Sequence, residues 1–176
     1  MNILFYTHYE IDPQKGGTER SSTTTAIGLR DVYGHKVYSA FKENVGVEQN
    51  IFENVFRLEG NYHENLVHII RDNNIDIVIN EGDFFMIKAI YRAIKNSGRH
   101  CRSIFVHHYT PGDELRTFDR GRIRSRIGFS KDGFKNFVRY LAFSYFQKRQ
   151  KRVLRDYICL SKHAFAAFEN MRKQDI

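Results

Sequence analysis

The first 34 residues contain the pattern that most constrains the fold: an apolar run, a loop with two adjacent glycines, and a polar stretch that can form a helix. Residues 2–7 (NILFYT) are rich in strand-forming side chains, and Gly16 and Gly17 directly precede Thr18 and Glu19. Thr18 can cap a helix, and an acid such as Glu19 is favoured in the first turn by the helix dipole. The pattern predicts a strand, a glycine loop and a helix from Thr18 to about residue 33, which Gly34 ends.

The glycine loop is a candidate anion site. In an open α/β sheet, ligands bind beyond the carboxyl ends of the strands, and the free amides of a helix start favour phosphate there. Glycine lacks a Cβ, so the backbone can take positive φ and come close to a ligand. We therefore predict that Gly16, Gly17 and Thr18 contact an anionic ligand, the alternative being an ordinary flexible connection.

Two better-known phosphate motifs do not fit this loop. The dinucleotide pattern G-x-G-x-x-G cannot be written here, because no third glycine follows at the required spacing. A P-loop is excluded because Gly-Lys-Ser and Gly-Lys-Thr do not occur in the chain.

The rest of the chain alternates between strand-like and helix-like segments. Strands are predicted at residues 36–40, 51–58, 75–79, 103–107 and 157–160, helices at 62–72 and 84–96, and a last helix capped by Ser161. Alternating elements of these lengths indicate βαβ units with right-handed crossovers. The predicted fold class is α/β, a Rossmann-like, doubly wound parallel sheet with helices on both faces.

Length and cysteine content favour one compact domain, residues 1–176, in a reducing compartment. A chain of 176 residues can bury a core without a disulfide or metal. Cys101 and Cys159 lie in apolar strand-like runs and lack metal-type spacing. No signal peptide or membrane span is recognisable, so we expect a cytoplasmic protein, at most peripheral on the inner face of the membrane.

The net charge of +8 is concentrated in one segment, which we call the basic insert. Residues 116–155 contain 13 Lys and Arg but two acids, whereas residues 1–115 contain 12 bases and 15 acids. Such a segment calls for an anionic partner: phosphate, nucleic acid or lipid headgroups. Nucleic acid is disfavoured, since the bases lack the glycine-aromatic pattern of an RRM and the GXXG loop of a KH domain.

The second half of the basic insert has two interpretations. In residues 134–157, apolar residues share one helical face and the bases gather at the end. This is typical of a helix packed on the sheet with a solvated basic tip. It is also typical of a surface helix that meets an anionic membrane.

Taken together, the motifs resemble the amino-terminal half of glycosyltransferase family 4, whose members have the GT-B fold. The segments that carry the resemblance are MNILFYTH, GGTERSSTTTAIGLRDVYGHKVY, IDIVINEG, SIFVHHYTPG and RVLRDYICLSKHAFAAF. The resemblance implies a retaining enzyme that moves a sugar from a nucleotide sugar to a glycan or lipid-linked acceptor, without a metal or other cofactor. It also implies that residues 1–176 form the acceptor-side domain, which is inactive without a donor-binding half.

The resemblance assigns roles to specific residues. Gly16 and Gly17 would approach the donor diphosphate, and His107 or His108 would lie near the transferred sugar. From their chemistry alone, the histidines could instead be metal ligands or core residues. Neighbouring strand residues point to opposite faces, so one of the two is expected to be structural, and a metal is not expected because no further ligand lies at suitable spacing.

Acids and a tyrosine near the same edge are the candidate acceptor-binding residues: Glu10, Asp12, Glu81, Asp83 and Tyr109. Carboxylates pair well with the hydroxyl donors of a sugar. For Asp83, a cap on the following helix is an equal alternative. Two other functions stay open: a nucleic-acid-binding or other anion-binding module that uses the basic insert, and a complete small α/β enzyme that uses another nucleotide.

Overall fold

The computed structural model describes residues 1–46, 50–108 and 154–159, together with eight separate residues: 138, 141, 145, 161, 162, 165, 166 and 169. The chain forms two compact units. The first contains residues 1–108 and 155–158, and the second contains residues 109–154 and 159–176. In the second unit, Val138, Leu141 and Tyr145 are helical and exposed, and the amide of Phe165 donates to the carbonyl of Ser161 (2.9 Å).

The described elements are six strands, three α-helices and one short 3-10 helix. In chain order they are β1 (Asn2–Tyr9), α1 (Gly17–Asp31), β2 (Lys36–Glu43), β3 (Asn54–Arg57), α2 (Tyr62–Asp72), β4 (Ile77–Asn80), a short 3-10 helix (Phe84–Met86), α3 (Ile87–Ser97), β5 (Arg102–His107) and β6 (Asp156–Cys159). The six strands form one parallel sheet in the order β3-β2-β1-β4-β5-β6. The predicted fold class, a doubly wound Rossmann-like α/β sheet, is confirmed.

The central strand β1 is buried on both faces of the sheet. Ile3 and Phe5 belong to one apolar cluster, with Ala26 of α1. Leu4 and Tyr6 belong to the other, whose helical members come from α2 and α3. Alternate side chains of a strand point to opposite faces, so helices cover both sides and the sheet is doubly wound.

The pairing of β1 fixes the register of its neighbours. Ile3 of β1 aligns with Val37 of β2 on one side and with Ile77 of β4 on the other. Strands buried on both faces are expected to be continuously apolar rather than alternating. The runs NILFYTHY and KVYSAFKE match this expectation over their central residues.

The predicted boundaries agree best where a cap defines them. The α2 helix runs over the predicted residues, and the Asn61 side chain accepts from the amide of Glu64 (3.4 Å). Gly34 follows α1 with φ +66°, as expected of a helix-ending glycine. The strand predicted over 51–58 is shorter in the structure, where β3 covers Asn54–Arg57. Ile51 and Phe52 precede it as buried core residues.

Gly28, inside α1, and Gly34, after its end, provide a matched test of backbone conformation. Gly28 lies inside α1 with open space where a Cβ would be, whereas Gly34 needs positive φ. We expect Gly28→Ala to raise the free energy of unfolding by about 0.5–1 kcal/mol and Gly34→Ala to lower it by about 1–2 kcal/mol. Urea unfolding followed by circular dichroism measures both, and changes of equal sign would contradict the assignment.

Candidate functional site

The carboxyl edge of the sheet has a topological switch point between β1 and β4. From β1 the chain proceeds outward to β2 and β3, and from β4 it proceeds in the other direction to β5 and β6. The amide of Glu81, directly after β4, donates to the carbonyl of Tyr6 in β1 (2.9 Å). Ligands of open α/β sheets bind at such a point, so the residues around it form the candidate site.

His108 and Glu81 form a close pair at this edge. Nε2 of His108 lies 2.5 Å from Oε2 of Glu81, and each side chain is only 5% exposed. A carboxylate only accepts, so Nε2 carries the proton in this bond. In the neutral ring Nδ1 is then an acceptor, and no described residue is bonded to it. The pair therefore presents one oriented ring nitrogen for a ligand.

A tight backbone turn supports this pair. Gly82 takes φ +87°, and a Cβ built there would lie 3.5 Å from Cδ2 of His108. Few residues other than glycine adopt this conformation. The turn thus holds the loop after β4 close against the imidazole.

His107 occupies a different environment from its neighbour. It is 1% exposed, and its ring contacts Phe84 and Phe105 at centroid distances of 5.2 and 5.8 Å. The two histidines lie at adjacent positions of a strand, as the sequence indicated, and it is His107 that enters the core. Its catalytic assignment stays a prediction, but His108 is the member of the pair that lies against Glu81 at the edge.

Asp83 is the centre of a hydrogen-bonded network. Its Oδ2 accepts from Oη of Tyr6 (2.9 Å) and from Nζ of Lys42 (3.0 Å), while Oδ1 accepts from the amide of Phe85 (2.9 Å). The last bond caps the 3-10 helix, so the capping interpretation of Asp83 is confirmed. Burial of Tyr6 and the negative charge of Asp83 raise the pKa of the phenol well above its ordinary value.

Lys42 is a site residue that the sequence analysis missed. Its side chain is 12% exposed, and its amine lies over the ring of Tyr62 at 5.3 Å from the centroid. The sequence predicted that β2 ends at Ala40, but β2 extends to Glu43 and brings Lys42 to the edge. The alternation Tyr38, Ala40, Lys42 on one strand face was the available signal.

His8 extends the charged cluster at the end of β1. Its Nε2 lies 3.2 Å from Oε1 of Glu43, and its Nδ1 lies 3.6 Å from Oδ2 of Asp83. Acids and bases therefore alternate along this edge, and none of these described bases lacks a nearby carboxylate. The charges of this cluster largely cancel, so it can offer hydrogen-bond donors and acceptors to a ligand but no strong electrostatic potential of one sign.

The glycine loop begins α1 without a side-chain cap. Gly16 takes the N-cap position and Gly17 is the first helical residue, so the expectation that Thr18 caps the helix was wrong. Thr18 is instead the second residue of the helix, because the helix begins at Gly17. Gly17 does not take positive φ, and a Cβ there would meet nothing within 4 Å, whereas one at Gly16 would collide with the carboxylate of Glu19.

Glu10 and Asp12, the two acids of the glycine loop, both accept from backbone amides. One oxygen of Glu10 accepts from the amides of Val45 and Gly46 (3.1 and 2.9 Å), which ties the loop to the end of β2. Asp12 accepts from the amide of Gln14 (2.9 Å). Roles of Glu10 and Asp12 in acceptor binding stay predictions.

Two further predictions fall on residues that the structure does not describe. Tyr109 lies outside the described residues, and so does most of the basic insert, residues 116–155. The described part of the chain has no group of three His, Cys, Asp or Glu side chains that could hold a metal ion. Within that same part, no helix is long and apolar enough to cross a bilayer.

No protein-family model matches the chain, and no curated protein sequence matches it. The resemblance to family 4 glycosyltransferases therefore rests on the sequence motifs quoted above.

The Tyr6–Asp83 bond predicts a specific dependence of stability on pH. Tyr6→Phe should lower the free energy of unfolding by about 1 kcal/mol at neutral pH. The raised pKa of Tyr6 means that the folded protein keeps the proton while the unfolded chain releases it above about pH 10. The contribution of Tyr6 to the free energy of unfolding is therefore fully present below about pH 10. Above that pH it is lost, by up to about 1.4 kcal/mol per pH unit.

Because the phenylalanine variant lacks this loss, its deficit relative to the wild type should shrink between about pH 10 and 11. Urea unfolding at several pH values measures the difference. Tyr9→Phe, at an exposed tyrosine of the same strand, is the control and should keep a constant offset. A deficit of Tyr6→Phe that stays constant as well would contradict the assignment.

Proposed function

We propose that this chain is the acceptor-side domain of a retaining glycosyltransferase of the GT-B type, resembling family 4. It acts with a donor-binding domain to move a sugar from a nucleotide sugar to a glycan or lipid-linked acceptor. The observation that carries the proposal is the His108–Glu81 pair, which lies on the same sheet edge as the uncapped start of α1. A helix start can bind a diphosphate and an oriented imidazole can contact a sugar, so together they suit a sugar diphosphate.

The start of α1 suits the diphosphate of the donor. The first amides of a helix have no partner within the helix, and α1 has no side-chain cap to occupy them. Among the described residues nothing lies within 4 Å of a Cβ built on Gly17, while the Glu19 carboxylate lies beside Gly16. A phosphate placed there gains both hydrogen bonds and the favourable end of the helix dipole.

The His108–Glu81 pair suits the transferred sugar. Glu81 holds the ring through Nε2, which leaves Nδ1 to accept from a sugar hydroxyl in the neutral form. If the ring is protonated, Glu81 balances its charge and Nδ1 becomes a donor to developing negative charge. Either form positions the sugar without a metal.

The Lys42–Asp83 pair suits the acceptor. Nζ of Lys42 has three hydrogens, and Asp83 accepts one of them. The remaining two can donate to acceptor hydroxyl or phosphate oxygens. Asp83 compensates the charge of Lys42. This site therefore recognises an acceptor through the directions of its hydrogen bonds more than through net charge.

The proposal is tested with an enzyme that carries this domain together with its donor-binding domain. A panel of nucleotide sugars is incubated with glycan and lipid-linked acceptors, and the anomeric configuration of the product is determined by NMR. Transfer with retention supports the proposal. Hydrolysis without transfer, or inversion at the anomeric carbon, contradicts it.

The two neighbouring histidines should separate catalysis from folding. His108→Ala should lower kcat about 10²-fold or more while the domain stays folded, since it removes a contact to the transferred sugar. His107→Ala should instead lower the free energy of unfolding by about 2–5 kcal/mol, because it opens a cavity beside Phe84 and Phe105. Steady-state kinetics and thermal unfolding of both variants give the comparison, and similar small losses of kcat would leave His108 without a catalytic role.

Gly17 should be required for transfer but not for folding. The site of a Cβ is open and φ is not positive, so Gly17→Val should change the free energy of unfolding by less than about 1 kcal/mol. The valine side chain would occupy the space of the diphosphate, so transfer should be lost. Gly28→Val, in the middle of the same helix, is the control that should keep transfer. A folded, fully active Gly17→Val enzyme would show that the loop is only a connection.

A further inference from the structure

The opposite edge of the sheet contains a groove that the proposed function does not use. It has a volume of about 710 Å³ and lies within the first compact unit. Its walls come from the second half of α3, the start of β5 and the residues at the start of β6. A volume of this size falls in the range of small-molecule sites in proteins.

The groove is strongly basic. Four Lys and Arg side chains line it, from three separate elements: Arg92, Lys95, Arg102 and Arg155. The single acid in its lining, Asp156, pairs with Arg102 at 3.1 Å. The described part of the chain offers no carboxylate within ion-pair distance to Arg92, Lys95 or Arg155.

Compensation of the α3 dipole does not explain this arrangement. A base in the last turn of a helix is stabilised by the partial negative charge of that end, and Lys95 meets this description. Arg102 and Arg155 lie outside the helix, and Arg92 precedes its last turn. Four bases that share one concave surface with a single acid leave an excess of positive charge, which an anion bound there would balance.

Two other residues that line the groove, Tyr91 and Cys101, suit ligand binding rather than catalysis. Oη of Tyr91 accepts from the amide of Arg155 (3.1 Å), which fixes that segment against α3. Burial raises the pKa of the Cys101 thiol to about 12, so the thiol stays protonated and is a poor nucleophile at neutral pH.

We propose that this groove binds the phosphate group of a phosphomonoester or diphosphate ligand. Arginine presents planar, paired donors that match phosphate oxygens, and three arginines here come from different elements. The Arg102–Asp156 pair holds one of these guanidinium groups in place. This site is separate from the glycine loop, so the proposal does not depend on the proposed function.

The test is calorimetric titration of the 176-residue chain with inorganic pyrophosphate, in a buffer without other phosphate. Saturable binding of pyrophosphate to the groove is expected, as a site distinct from the glycine loop. Arg92→Gln combined with Lys95→Gln should weaken it at least about tenfold, because two charge-assisted contacts are removed. Arg99→Gln changes an exposed base between α3 and β5 that does not line the groove, and this control should change affinity by less than about twofold.

Two additional arms identify the source of the phosphate and the site. Vesicles with phosphatidic acid report a lipid phosphomonoester, and binding to them that the double variant loses supports the same site with a lipid ligand. Pyrophosphate binding that Gly17→Val abolishes and that the Arg92→Gln/Lys95→Gln variant retains would place the anion at the glycine loop and overturn the proposal. The proposal would also be overturned if Arg99→Gln weakened pyrophosphate binding as much as the double variant does, or if neither pyrophosphate nor the vesicles bound. A third probe, an oligonucleotide, would overturn it if it alone bound.

Discussion

The rest of the structure depends on the burial of β1 on both of its faces. Its side chains from Ile3 to Tyr6 are 2% exposed or less, and they alternate between two apolar clusters. The backbone of such a strand must find its hydrogen bonds in parallel neighbours on both sides, here β2 and β4. The chain therefore has to extend from β1 in two directions, and the switch point beside β1 is a consequence of this burial.

The same burial determines the chemistry of the carboxyl edge. Tyr6 brings a phenol into the core, and a buried hydroxyl needs a partner. Asp83 supplies it, Lys42 balances the charge of Asp83, and the Asn80 side chain bonds the backbone of Asp83 through both its oxygen and its nitrogen (3.0 and 2.9 Å). These polar groups stabilise the fold, whereas the side chains of His108 and Glu81 pair with each other outside that network.

The fold was predictable from the sequence because its signals are periodic and local. Apolar runs gave the strands, and the Asn61 cap and helical spacing gave α2. Thr18 was misplaced because a good capping residue one position inside a helix looks the same in sequence as a cap. Lys42 was missed because a charge after an apolar run resembles a loop, while the pairing of Tyr9 with Glu43 extends β2 past it. Alternation separated His107 from His108, but which of them is buried depends on where Phe84 packs.

The two edges of the sheet differ in how their charges are compensated, and this difference bears on the ligands that each can take. At the carboxyl edge three described bases each have a carboxylate close by: Lys42 has Asp83 at 3.0 Å, His108 has Glu81 at 2.5 Å and His8 has Glu43 at 3.2 Å. Such pairs create little net field but many directed donors and acceptors. At the amino edge four Lys and Arg share one acid, so the field is positive and the attraction to an anion acts before any hydrogen bond forms. A single sheet thus has paired charges at its carboxyl edge and an excess of positive charge in the groove at the amino ends of β5 and β6.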